Sequence, residues 1–380
     1  MRLAPLTPVF MSATLMIAGP VIANSSGPFN TSAGPVMVER MAGPFDHPWA
    51  IALLPEPGAY LVTEREGALR VVRNGRVSPP VKGVPEVRAS GQGGLLDVAL
   101  DPEYAANKRI FLSYSEPEAS WRARTALASG TLRLSDGAPR LENVRVIFRQ
   151  QPAVSGGRHF GSRIVFANDG TLFLTLGDRG NRDRVQDLSN HFGKIIRINR
   201  DGSVPTDNPF VGRANVRPEI WSYGHRNPQG AAKRPSDGAY FTISHGAAGG
   251  DEVNRPQAGK NFGWPEVSYG THYSGREFPA ATRSDVVPPL HYWDPSIAPS
   301  GAMFYDGNLF PAWKGNLFVG ALRGRLIARL TVTGDTVREA ERLLEDRFGR
   351  IRDVRSGPDG AIWFATDDSE GAVWRIIPAR

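Results

Sequence analysis

The chain of 380 residues contains no cysteine. That excludes disulfide staples, thiolate metal sites and a covalently attached haem of the CxxCH kind. Other signatures are missing too. No GxGxxG runs from a strand into a helix, so the nicotinamide-dinucleotide fingerprint is absent, and there is no GxSxG nucleophile elbow. After residue 23 no stretch is long and apolar enough to span a bilayer. Basic residues outnumber acidic ones, 45 to 38, for a net charge of +7. They are scattered, however, without a lysine-arginine block or an aromatic-interleaved stripe, so nothing selects nucleic acid as a partner. A convincing 3.6-residue apolar stripe is also lacking. The short charged stretch Thr336–Leu344 reads either as a turn of helix or as the outer strand of a hairpin.

Glycine and proline, by contrast, are plentiful at 42 and 31 residues. With 41% hydrophobic residues they suit a turn-rich all-β protein. Six turn signals are flanked by apolar, β-rich runs: Pro57-Gly58, Asp101-Pro102, Asp169-Gly170, Asp237-Gly238, Asp306-Gly307 and Asp359-Gly360. Ten or eleven residues before them stand His47, Gln92, His159, Asn227, Ser296 and Arg350. If the hairpins are one element repeated, these six occupy the same end of the same strand in each unit. The spacing predicts a six-bladed β-propeller with four-stranded antiparallel blades, its inner strands bringing those six residues to one mouth. The irregular stretches Arg179–Phe192, Val204–Trp221 and Gly246–Pro288 are expected to wall that mouth. Pro35–Met41 is expected to pair with the final strand, Gly371–Ile377, and close the ring.

Residues 1–23 differ from the rest. Arg2 precedes an apolar stretch that ends in the small-residue pattern Val21-Ile22-Ala23, which reads as a secretory signal peptide. The alternative is an anchored helix, though Pro5, Pro8 and Pro20 would interrupt it. The expectation is therefore an exported, periplasmic protein whose residues 24–380 form a single propeller domain, with no membrane span in the mature chain.

The sharpest motifs occur in a fixed order: GGRHFGSRIVFANDGTLFLTLGDRG at Gly156–Gly180, GHRNPQG at Gly224–Gly230, HGAAGGDEVN at His245–Asn254, NFGWP at Asn261–Pro265, WDPSIAPSG at Trp293–Gly301 and GRIRDV at Gly349–Val354. Together they resemble the soluble quinoprotein sugar dehydrogenases, the PQQ-dependent aldose sugar dehydrogenases with their sorbosone- and glucose-oxidising relatives. The resemblance covers the chain from Pro48 to Pro378. It implies oxidation of an aldose at its anomeric carbon to a lactone, with PQQ and Ca²⁺ as cofactors and an external electron acceptor such as a quinone, a cytochrome or a dye.

On that resemblance His159 is the general base, a role that suits an imidazole near neutral pKa. Asp178 orients it and stabilises the imidazolium. Arg226 and Asn227 match the pair at the reactive carbonyl end of PQQ, where a guanidinium stabilises developing negative charge. Gln92 matches a glutamine that contacts PQQ close to the sugar. Arg350 and Arg352, two apart on one strand, match a pair of arginines suited to PQQ carboxylates. Ser296 stands where the glucose enzyme has threonine, and Arg323 where it has lysine. The backbone carbonyls of Gly246 and Ala247 correspond to calcium ligands. Ala247 replaces a proline, and Ser244 replaces an acidic residue of related aldose enzymes. Asp251 and Glu252 are candidates for a supporting role around that site. Two other readings compete: a six-bladed propeller lactonase, which would hold a metal with carboxylates and amides, and a non-catalytic sugar-binding propeller.

Overall fold

The computed structural model describes residues 25–379 apart from 120 and 135–137; the expected leader, 1–23, lies outside the described residues. The strand-and-turn repeat folds into six antiparallel sheets around one axis. Their innermost strands are Pro48–Leu53, Leu95–Leu100, Ile164–Phe166, Pro228–Lys233, Pro299–Phe304 and Ile351–Ser356. Each touches the next, and the sixth touches the first, so the ring is closed. The six-bladed, all-β expectation is borne out, with two additions. A short strand, Val154–Ser155, pairs with Arg122–Arg133 in blade two. Blade six takes in the first two described strands, Ser25–Phe29 and Val36–Phe45.

That join decides how the ring closes. Val36–Phe45 pairs with Gly371–Pro378, with Val36 opposite Pro378 and Met37 opposite Ile377. Ser25–Phe29 adds a further edge strand. The first and last described strands thus lie in one sheet, and neither leaves an unpaired inner edge.

Strands here are apolar along both faces because each sheet lies between two others. Tyr60 and Val62 pack with Phe45 and Trp363 of blade six, while their neighbour Leu61 packs with Leu95 and Leu112 of blade two. Thr336–Leu343 is the outer strand of blade five. It buries Val337 and Leu343 only, the one-sided pattern of an edge strand rather than a helix. At four of the turns Gly58, Gly170, Gly238 and Gly360 supply φ between +71 and +84°. Gly307 is required for space instead, since a side chain there would press on the Tyr305 hydroxyl and the Gly360 carbonyl.

Two of the three long stretches reach the mouth. Val185 and Phe192 from the first pack against Ala247, Trp264 and Phe278 from the third, a small apolar cluster beneath the rim. Val204–Trp221 does not reach it. Asp207 and Asn208 are held against Arg197 on the flank of blade three, where Arg197 also pairs with Asp169 of the far turn. Arg197 thus holds the loop through one carboxylate, Asp207, and one amide, Asn208. Among the described residues no helix is long and apolar enough to cross a membrane.

Candidate active site

His159 enters the site at the start of blade three's inner strand with a left-handed backbone, φ +56°. His47, its equivalent in blade one, has φ +47°. Such a conformation is uphill for a side chain other than glycine and persists only when its surroundings enforce it. At His159 they do. Its N–H donates to Gln92 Oε1 at 2.7 Å, and its carbonyl accepts from Arg179 N at 3.3 Å. Gly177 must be glycine, because any side chain would collide with that carbonyl.

The imidazole Nδ1 lies 2.7 Å from Asp178 Oδ1. That oxygen also accepts from Gly180 N, and Asp178 Oδ2 accepts from the Trp264 indole at 2.8 Å. A carboxylate fixed at both oxygens, as an acceptor only, places the proton on His159 Nδ1 and leaves Nε2 basic. Burial pushes the His159 pKa below the usual histidine range. The hydrogen bond that Nδ1 donates to Asp178 opposes that lowering, whereas the positive charge of Arg226 reinforces it. Burial alone would raise Asp178, but its bonds to His159 and Gly180 outweigh it and hold the carboxyl below its ordinary value. The pair is therefore a neutral base beside an ionised carboxylate at neutral pH.

Arg226 lines the same cavity, a space of about 160 Å³ shared with His159, Asp178, Ala247, Trp264 and Tyr273. Its guanidinium donates to His245 O at 3.3 Å and to the Tyr273 hydroxyl at 3.1 Å. Asn227 Oδ1 accepts from Gly161 N, and its own N–H donates to Ser244 Oγ at 3.2 Å. Ser244 thus spends its hydroxyl on Asn227.

Gly246 and Ala247 open the turn on the other side of the cavity. Asp251, fully buried, accepts from Gly246 N with Oδ1, and with Oδ2 from Ser296 Oγ at 2.7 Å and from Ala298 N. One carboxylate therefore ties blade four's turn to Ser296. Ser296 and Arg323 line a neighbouring cleft of about 400 Å³ rather than the His159 cavity. Arg350 and Arg352 do share a face, since both donate to Asp367 Oδ2, at 3.1 and 2.6 Å. Arg352 is buried and also donates to Gln229 Oε1, whereas the Arg350 side chain is 49% exposed. His47 completes this group through Asp367 Oδ1 at 3.1 Å.

Sequence reasoning left Trp264, Gln229 and Asp367 without a role and gave Asp251 only a secondary one. Trp264, Gln229 and Asp251 stood inside quoted motifs, NFGWP, GHRNPQG and HGAAGGDEVN, and Asp367 stood in none. Gln229, Asp251 and Asp367 act through pairings that no local spacing reveals.

Three buried donors at or beside this mouth have no partner: Arg226 Nε, Asn227 Nδ2 and Arg352 Nε. Leaving a buried donor unsatisfied costs about 1–3 kcal/mol, so the site suits a ligand rich in acceptors. A planar quinone with several carboxylates fits that donor set. The Gly246 turn is suited to a cation differently. A side chain at Gly246 would collide with the carbonyl oxygens of Gly249 and Gly250, which fold inward upon it. Among the described residues no group of three or more His, Asp or Glu side chains could hold a metal, so a cation would rely on such carbonyls.

A closed six-bladed propeller here carries an oriented imidazole beside a guanidinium, groups able to accept a proton and to face negative charge. Its class follows from comparison with known proteins. The family described as Glucose / Sorbosone dehydrogenase matches residues 45–375, and the chain belongs to it, a family of sugar oxidoreductases. The chain is similar to aldose sugar dehydrogenase YliI of Escherichia coli, 46% identical over 348 residues, covering 90% of this chain and 93% of that one. The apo-form crystal structure of the soluble Escherichia coli aldose sugar dehydrogenase superposes with a TM-score of 0.87, covering 90% of this chain and all of that one at 46% identity. The PQQ-bound aldose sugar dehydrogenase of Streptomyces coelicolor gives 0.74 at 27% identity, covering 92% of this chain and all of that one.

Proposed function

We propose that this sugar oxidoreductase is a PQQ- and Ca²⁺-dependent aldose dehydrogenase that converts the anomeric carbon of an aldose to a lactone. The observation that carries the reading is the Asp178–His159 pair facing Arg226 in one cavity, with unpaired donors around it. PQQ, when bound, supplies the two-electron acceptor. Of the chain's own residues, His159 Nε2 takes the proton of the anomeric hydroxyl. Asp178 holds the ring and stabilises its charged form, with Trp264 fixing the carboxylate. Arg226 offers positive charge where the acceptor becomes negative. Asn227, Gln92, Ser296, Arg323, Arg350 and Arg352 are proposed as the cofactor's remaining contacts, and Gly246 and Ala247 as carbonyl ligands of Ca²⁺. Residues 1–23 are proposed to direct export to the periplasm, where an external acceptor reoxidises the cofactor.

A propeller hydrolase holding its metal with carboxylates finds no such cluster among the described residues. The test is reconstitution. Purified apo-protein should reduce a dye at the expense of aldoses only after addition of PQQ and Ca²⁺, and NAD should not substitute. Full activity after removal of both would overturn the reading.

A further inference from the structure

Tyr273 is 77% exposed, more than any other large apolar or aromatic side chain exposed among the described residues. A single exposed ring is ordinary on a protein surface; what sets Tyr273 apart is its place in the lining of the His159 cavity. Yet this ring is not loose. Arg226 Nη2 donates to its hydroxyl at 3.1 Å, and the guanidinium carbon lies 5.9 Å from the ring centroid.

The segment that carries it is equally well fixed. Thr271 pairs with Glu277, and His272 N donates to Arg276 O at 2.8 Å, so residues 271–277 form a small hairpin. Thr271 also bridges to Ala248, which anchors the hairpin to the Gly246–Gly250 turn. On its other side the His272 ring stacks on Phe278 at 3.9 Å. The hairpin thus presents an aromatic ring, tethered to Arg226, at the cavity that holds His159.

We infer that Tyr273 is the platform against which the aldose ring stacks, and so a determinant of substrate affinity; this rests on the sugar-dehydrogenase reading above. A pyranose with equatorial hydroxyls exposes a face of C–H bonds, the apolar complement of an aromatic ring, while its rim seeks polar partners. Tyr273 supplies the flat face, and Arg226, Arg158, Arg182 and His159 line the same cavity with polar groups. Stacking also limits the sugar's rotation, which favours placing its anomeric hydroxyl at His159 Nε2.

The test compares Tyr273→Ala, Tyr273→Phe and wild type, each reconstituted with PQQ and Ca²⁺, with PQQ titrations run alongside. Tyr273→Ala should raise KM for aldopyranoses about tenfold, lower kcat less, and leave the PQQ titration unchanged. Tyr273→Phe, which keeps the ring, should keep KM within about twofold of wild type. In NMR spectra with excess aldose, the ring-current shift of the sugar C–H protons should be present in wild type and Tyr273→Phe and lost in Tyr273→Ala. An unchanged KM in Tyr273→Ala, or an equal loss in Tyr273→Phe, would overturn the platform. Failure of wild type itself to oxidise any aldose would instead overturn the function on which it rests.

Discussion

At the scale of single residues the site turns on one proton. His159 Nε2 is basic because Nδ1 is committed to Asp178, and Asp178 is committed because Trp264 and Gly180 occupy its remaining acceptor sites. His159→Ala should still fold and bind PQQ, yet reduce it ~10²–10⁴-fold more slowly in single turnover with excess aldose. Wild-type speed in that variant would make the histidine merely structural. Asp178→Asn should lose less, because it removes the orienting partner and leaves the base. The pH profile follows from the same contacts. The pKa of His159 is lowered, so the base form persists below the ordinary histidine value of about 6.5. The rate should fall only as pH drops through that lowered pKa. Arg226 contributes to the lowering. Arg226→Gln should therefore move the His159 titration, followed by NMR, to higher pH, and a shift to lower pH would contradict the assignment.

At the scale of elements the inner strand of blade six carries the arginine pair, and here the structure modifies a simple expectation. The resemblance matches both arginines to a pair that holds PQQ carboxylates, which would leave them free for a ligand. Arg352 instead shares Asp367 with Arg350 and His47. Burial would raise Asp367, but Arg352 foremost, with His47 and Arg350, holds its carboxyl well below the usual range. This contribution to stability is present above the ordinary aspartate pKa of about 3.9 and is lost as pH falls below it. Arg350→Ala should weaken PQQ binding about ten- to a hundredfold, from about 1.5–3 kcal/mol per charge-assisted bond, with little change in melting temperature. Arg352→Ala should weaken binding similarly and also lower the melting temperature, because it strips a buried carboxylate of its closest partner. Unchanged PQQ titrations in both variants would place the cofactor elsewhere. The sequence made the repeat legible because a hairpin turn is a local event, written in Asp-Gly pairs at matching distances from His159, Asn227 and Ser296. Ring closure by the apolar segment Pro35–Met41 was equally readable, though the strand runs on to Phe45. Asp367, Asp251 and Gln229 were not, because each acts on a partner in another blade or loop. The course of Val204–Trp221 escaped for the same reason, being set by Arg197 in a strand that precedes it.

At the scale of the whole molecule one side chain ties five blades together and lies against the sixth. Arg163 is 1% exposed and belongs to blade three. It ion-pairs with Asp97 of blade two at 3.1 Å and with Asp353 of blade six at 3.0 Å. Its Nε donates to Gln229 O of blade four at 2.7 Å, and its guanidinium stacks on Trp49 of blade one at 4.1 Å. In blade five Gly301 leaves the room, since a side chain there would meet both Asp353 and Arg163. Arg355 pairs with the same two aspartates, at 3.0 and 2.9 Å, so the axis is a network of paired, largely buried charge. Removing one member of such a network costs about 3–5 kcal/mol because its partners stay charged and buried. Arg163→Met should therefore lower the melting temperature sharply. Combining it with Asp97→Asn should cost less than the two single changes added, as coupled sites do. Strict additivity would show that the network is not coupled. A melting temperature equal to wild type would show that the interblade apolar clusters hold the ring without it. The same variant probes the site, because His159 lies four residues before Arg163 on the approach to this strand. If the axial network fixes that strand, Arg163→Met should slow single-turnover oxidation even at temperatures where the protein is fully folded.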